Sequence, residues 1–326
     1  MEIVEIFNAE QREQAIALLN EGFPHGEFDW SIIFKAKPGK FGHGLLLMID
    51  GEPQGELLCF EKKESIGGRE RRIVNVSSWY VREKYRRYLI WMVRHLTQDS
   101  ETIFTACTPS RAVSKIGQTL GFRTVSEGSI ASIPLLNGIR KSTEIEVQPC
   151  DTLLLDSETR TWIEDHRGER TISLMLRSGD RVTPFILVRG LELFQLPAAR
   201  LLFAQDLELV EPALPEIHAL LMRKYGIFGV YLPRIPEFEQ VKSARPVGTG
   251  PSIIAKGDIR DREINLLYSE LHYFPVTRRR FGRKVKKALK RLSPSFSGRA
   301  HHAVASSPRS TRPPDTSLSP EQLRDR

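Results

Sequence analysis

The sequence predicts an α/β (α+β) chain of mixed, mostly antiparallel sheets flanked by helices, arranged as two domains with a disordered basic tail. Three observations carry that expectation. Runs of period 2 alternate with runs of period 3.6 through the first half. A similar order of elements begins again near residue 140. From Thr277 onward the composition turns basic and then rich in Ser, Pro and Arg. The 326 residues suit two domains, and 40% hydrophobic residues supply a core for each. The expected division is 1–140, 141–277 and a tail at 278–326, with the joint near 136–150.

Taken in order, NAEQREQAIALLNEGF sets Ala15, Ile16, Leu18 and Leu19 on one helical face, with Asn8 as the cap. GLLLMIDGEPQGELLCFEKKESIGGRERRIVNVSSWYV reads as three strands, punctuated by the hairpin signals Asp50-Gly51 and Gly67-Gly68. REKYRRYLIWMVRHL is helical, TIFTACT a short strand, SRAVSKIGQTL a helix and GFRTVSEGSIASI a strand. Beyond residue 140, TWIEDHRGERTISLMLRSGDRVTPFILVRGLELF reads as strand and hairpin around Ser178-Gly179-Asp180, and RLLFAQDLELV as a strand. PALPEIHALLMRKYG opens on proline and closes on Gly226, the punctuation of a helix, and IFGVYLP is a strand.

Charge and cysteine content narrow the function classes. Residues 278–326 hold 14 Lys and Arg against 3 Asp and Glu, leaving 34 against 37 in the rest. The net charge of +8 therefore belongs to the tail and argues for no nucleic-acid groove in the body. Cys59, Cys107 and Cys150 form no CxxC pair, so neither a disulfide framework nor a zinc site is indicated, and a reducing compartment fits. Cys107 reads as a small buried hydrophobe, and Asp165, His166 and His272 lack metal-ligand spacing. The N-terminus shows no signal-length apolar core and no segment approaches the roughly 18 apolar residues of a membrane span. The expected location is cytoplasmic.

WYVREKYRRYLIWMVRHL followed by TPSRAVSKIGQTLGFRTV resembles the GNAT superfamily of acyl-coenzyme A dependent N-acyltransferases. In that family the fourth strand runs into a V-x-x-x-x-R-G-x-G-x-G turn, and a later helix ends in Gly-Phe. The likeness covers roughly residues 1–135. Val81 matches the strand end, Arg86 the arginine of the turn, and Gly121-Phe122 the Gly-Phe. The similar element order of 141–277 makes that segment a second GNAT-like domain on the same resemblance, a tandem arrangement.

The resemblance implies acetyl-CoA or another acyl-CoA bound by its pyrophosphate at a helix N-terminus, through unpaired N–H groups and the positive dipole end. Val81, Arg86, Arg87, Tyr88, Leu89 and Trp91 are the cofactor-binding candidates it implies. Yet the three glycine places fall on Arg87, Leu89 and Trp91. Leu89, Trp91 and Met92 are also spaced as a buried helical face, and as core they predict a phosphate cradle eroded at least in part. The position of the family's tyrosine, four residues before the Gly of Gly-Phe, is Gly117, so Tyr85 or Tyr88 is the remaining acid. For the base, the EGFPHGEFDW loop offers Glu21, Glu27 and Asp29 beside His25, carboxylates suited to bind an ammonium and take its proton through water, or else solvated loop charges.

Two functions follow. One is acyl transfer from acyl-CoA to an amine, an amino sugar or small metabolite being compatible acceptors. The other is a binding or scaffold protein that keeps the fold and has lost coenzyme A. The tail adds a partner: in RRRFGRKVKKALKRL, Phe281, Val285, Ala288, Leu289 and Leu292 recur at three and four while basic residues fill the remainder. That is the pattern of a helix on an anionic membrane surface, such as the inner face of the cell membrane, more than of a nucleic-acid arm, which gains little from an apolar stripe.

Overall fold

The computed structural model describes residues 1–24, 28–66, 68–134, 145–239, 241, 244–260 and 265–274. Strand β1 (Glu2–Glu5) leads to helix α1 (Ala9–Gly22), whose Asn8 and Gln11 form a reciprocal capping box. Strands β2 (Gly44–Ile49), β3 (Glu52–Ile66) and β4 (Arg69–Val81) make the expected antiparallel meander. Asp50 and Gly51 both take positive φ, 54° and 81°, the conformation of a two-residue hairpin turn. A 3-10 turn at Glu83–Tyr88 runs into α2 (Leu89–Leu96), followed by β5 (Thr102–Ala106), α3 (Arg111–Thr119) and β6 (Arg123–Ser132).

The second half contains β7 (Glu146–Pro149), α4 (Ser157–Asp165), β8 (Thr171–Ser178), β9 (Arg181–Leu193), β10 (Leu196–Ala204), α5 (Val210–Tyr225), β11 (Gly229–Pro233), α6 (Pro236–Glu239), β12 (Ala244–Lys256) and the single turn α7 (Glu270–Tyr273). Two stretches read as strand from the sequence are helical. Thr161–Asp165 belongs to α4, because Asp156 caps the Thr159 amide and hydroxyl, and Thr159, Trp162 and Ile163 bury together at helical spacing. After Ala204, Asp206 accepts from the Glu208 amide and starts a 3-10 turn that feeds α5. The sequence reading assigns no element to β12 or α7.

All twelve strands join one sheet in the order β1-β2-β3-β4-β5-β12-β6-β11-β10-β9-β8-β7. β12 makes the join, inserting between β5 and β6 and pairing antiparallel with both. Packing gathers into three clusters, each of which takes residues from both halves. On one face of β2–β5, α2 contributes Met92, Val93 and Leu96 beside Leu57, Val74 and Phe104. On the other, α1 packs Ala15, Leu18 and Leu19 against Leu46, Leu58 and Phe60, with Phe274 from the end of the second half. A third cluster gathers β8–β11 around Val210, Leu214, Ile217 and Leu221 of α5. Residues 136–144 of the expected joint near 136–150 and the whole basic tail lie outside the described residues. Among the described residues no helix is long and apolar enough to cross a membrane.

Candidate functional site

The sheet opens where β4 and β5 part. These strands run parallel and pair only from Arg72 to Asn75 against Thr102 to Thr105. Beyond that point β4 continues to Val81, while β5 ends at Ala106 and the chain turns away through Pro109 into α3, capped by Ser110. The register between β3 and β4 slips at Ser78, whose φ of 32° marks the extra residue of a bulge. The divergence leaves a cleft of about 220 Å³ lined by Phe23, Val76–Trp79, Ala106, Thr108–Ser110 and Val113. Ser77, Ser78, Thr108 and Ser110 are among its polar lining residues.

Among the described residues one charged side chain lines this cleft, and the sequence reading misses it. Glu270, 5% exposed, comes from α7 and reaches Asn75, 195 residues away in the chain. Its Oε2 accepts from Asn75 Nδ2 at 2.9 Å, and its Oε1 accepts from the Thr108 hydroxyl. Asn75 Oδ1 in turn accepts from Thr105 Oγ1 and Cys107 Sγ. Burial and the neighbouring Glu270 carboxylate push the Cys107 thiol well up, so it stays protonated as a donor. The signal for Glu270 was a lone acid inside the apolar and aromatic run INLLYSELHYF.

The expected base residues are placed elsewhere or engaged. Glu21 takes Arg82 Nε and Nη2 at 3.0 and 2.8 Å and the Tyr80 hydroxyl at 2.7 Å, which hold its carboxyl below the usual range. Asp29 accepts from the amide and hydroxyl of Ser31 as the cap of the Trp30–Lys35 3-10 turn, bonds that also lower its pKa. Glu27 and His25 lie outside the described residues. Phe23, which follows α1, forms part of the cleft wall.

The turn after β4 differs from a glycine-built cradle. Its 3-10 bonding, from Tyr85 N–H to Arg82 O through Leu89 N–H to Arg86 O, consumes the amides that a wide turn would leave open. Arg86 is exposed, with Glu83 3.8 Å away, and Arg87 lies over the Tyr88 ring and donates to its hydroxyl. Val81 is buried at the strand end, and Tyr85, Tyr88 and Leu89 pack partly buried at the margin of the α2 core. The expectation of Trp91 as core is corrected: it is 56% exposed, whereas Met92 is 0%. Met92, Val93 and Leu96 define the inward stripe, and Trp91 sits about 100° around the helix from Met92. Gly117 has a packing reason, because a Cβ there would stand 2.8 Å from Ile254 Cδ1 of β12.

The second half repeats the parting with opposite charge. β10 and β11 are parallel from Ala198 to Arg200 against Gly229 to Tyr231, and β10 then runs on into its own 3-10 turn and α5. Along that turn lie Asp206 (paired with Arg181), Glu208 and, at the start of α5, Glu211, where the first carries Arg82, Lys84, Arg86 and Arg87 beside Glu83. The adjoining cleft, of about 360 Å³, is edged by Glu64, Asp156 and Glu158. A third cleft, of about 660 Å³, lies between β3 and α4, walled by Phe60, Trp162, Tyr268 and Tyr273. The 265–274 segment thus borders both this cleft and the one holding Glu270. Among the described residues no His, Cys, Asp or Glu group is gathered for a metal ion.

No family model and no curated protein matches the chain. Solved structures do. A GCN5-related N-acetyltransferase from Anabaena variabilis superposes with a TM-score of 0.55 at 13% identity, covering 78% of this chain and 72% of the other. A conserved protein of unknown function from Enterococcus faecalis, described as a probable N-acyltransferase, gives 0.50 at 8% identity over 78% and 71%. At such identities the likeness is one of fold.

Proposed function

Starting from the fold of the GCN5-related N-acetyltransferases, which this chain shares, we propose that it transfers an acyl group from acyl-coenzyme A, as a consumed co-substrate, to an amine. The observation that carries this is the parting of β4 and β5 at the Ser78 bulge, which opens a narrow cleft with hydroxyl walls beside a basic turn. The cleft suits a thin polar arm ending in a thioester. Ser77, Ser78 and Ser110 would hold that arm, and Lys84, Arg86 and Arg87 the phosphates, through side chains because the backbone amides of the turn are engaged. The first half is the donor site, since the acidic turn at Asp206–Glu211 would repel a pyrophosphate. With Gly117 in place of a tyrosine, no tyrosine among the described residues lines the cleft, and the thiol's modest basicity allows it to depart unaided at some cost in rate.

The amides consumed by the 3-10 turn favour a second reading, a binding or scaffold protein without coenzyme A. One experiment separates the two. Calorimetric titration of the full chain with acetyl-, butyryl- and octanoyl-coenzyme A should give heat and raise the melting temperature for at least one donor. Absence of both for all three donors leaves the scaffold reading.

A further inference from the structure

We propose that Glu270, delivered to the first-half cleft by the end of the second half, is the group that binds the acceptor ammonium and takes its proton. The proposal rests on the acyltransfer reading above. Its first support is exclusion by geometry among the described residues, which do not include Glu27. Glu21 is closed by Arg82 and Tyr80, Asp29 is spent on Ser31, and the fully buried Glu56 lies outside the cleft lining. Its second is position. Among the described residues Glu270 is the charged one lining the cleft at the parting of β4 and β5, a lining it shares with Ser77 and Ser110. Its third is orientation. Asn75 and Thr108 each donate to one oxygen, fixing the carboxylate plane while each oxygen keeps a lone pair for a further donor. A carboxylate held by a buried network that spans β4, β5 and α7 has a geometry that an exposed loop acid lacks.

The step balances as follows. The ammonium passes one proton to a Glu270 oxygen, and the freed nitrogen lone pair forms the C–N bond to the acyl carbon. The C–S bond breaks with its electron pair leaving on sulfur, which takes up the second proton shed by nitrogen. Glu270 returns its proton to solvent, so ammonium and thioester give amide, thiol and one released proton.

The test uses the full chain, acetyl-coenzyme A and n-butylamine as probe acceptor, with free thiol followed from pH 6 to 10. Glu270→Ala should slow amine-dependent thiol release on the order of 100-fold. It should leave acetyl-coenzyme A affinity within about twofold of the parent, the span of a contact the donor does not make. Added formate should restore part of the rate, a rescue that a merely structural role would not show. Glu270→Gln, nearly isosteric, checks that the loss follows the carboxylate and not the cavity. An unchanged rate in both variants overturns the proposal. So does loss of rate together with donor affinity and melting temperature, which would make Glu270 structural, or a parent that binds acetyl-coenzyme A yet leaves n-butylamine untouched. A parent that binds no acetyl-coenzyme A overturns the acyltransfer reading itself, a result distinct from the other three.

Discussion

Glu21 at the end of α1 and Arg82 at the end of β4 form a two-point ion pair, with Nε and Nη2 of the guanidinium 3.0 and 2.8 Å from one carboxylate oxygen. Arg82 also donates to Gln54 Oε1 and the Pro53 carbonyl, so a single side chain ties the helix to the β2–β3 turn. This clamp shapes the mouth of the cleft, since Phe23 follows Glu21 by two residues. Both partners are partly exposed, which limits the pair to about 0.5–1 kcal/mol.

Glu21→Gln is expected to lower the melting temperature by a few degrees or less and to change its pH dependence. The folded pKa of Glu21 lies below its unfolded value. Its contribution is therefore complete above the unfolded carboxylate pKa and is lost as pH falls through the folded one. The difference in melting temperature between parent and variant should be larger at pH 7 than at pH 3.

Arg86 and Arg82 should separate binding from stability. Arg86 is exposed and has only the 3.8 Å approach to Glu83, so its guanidinium remains free for a phosphate. Arg86→Ala should weaken acetyl-coenzyme A about tenfold, the loss of a charged hydrogen bond of roughly 1.5–3 kcal/mol, with the melting temperature unchanged. Arg82→Ala should do the reverse, lowering stability with little effect on affinity. Equal affinity in Arg86→Ala and parent would make Arg86 a surface charge only.

The inward face of α2 gives a paired test. Met92→Ala should cost about 2–5 kcal/mol, as a fully buried side chain packed among Leu57, Val74 and Phe104 is removed. Trp91→Ala should cost less than about 0.5 kcal/mol because the indole is largely in solvent. Urea denaturation of the two variants measures both, and similar losses would show that Trp91 is packed as the sequence spacing first implied.

How far the sequence could be read follows from the range of the interactions involved. The Asn8 cap, the Asp50-Gly51 turn and the alternation of β2–β4 are local, and all appear where their residues place them. Trp91 was misplaced because REKYRRYLIWMVRHL holds more apolar residues than one face can bury, and only the partner sheet selects Met92, Val93 and Leu96. Thr161–Asp165 and the Asp206 turn were misread because side-chain caps, not periodicity, decide them. The candidate site was the least legible part. Its cleft exists because two strands cease to pair, its acid arrives from 195 residues away, and the strand that closes the sheet behind it, β12, left no mark in the periodicity of the first half.

A last prediction concerns Glu56, which sits on β3 between Leu46 and Tyr80 at 0% exposure, with neither carboxyl oxygen hydrogen-bonded to a partner. Burial raises its pKa well above the ordinary value, and the nearby Tyr80 amide offsets only part of that, so the group is carried as the neutral acid. The sign of the linkage follows. Below the unfolded carboxylate pKa both states hold the proton and stability is unaffected by this group. Between that value and the raised folded pKa, unfolding releases a proton, so stability falls with rising pH by about 1.4 kcal/mol per unit. Glu56→Gln, which cannot ionise, should remove this dependence and make the chain more resistant to denaturation at pH 8 than the parent, while the two converge near pH 4. Urea midpoints across pH 4–9 measure it, and parallel curves for parent and variant would mean that Glu56 is ionised and solvated in the folded chain.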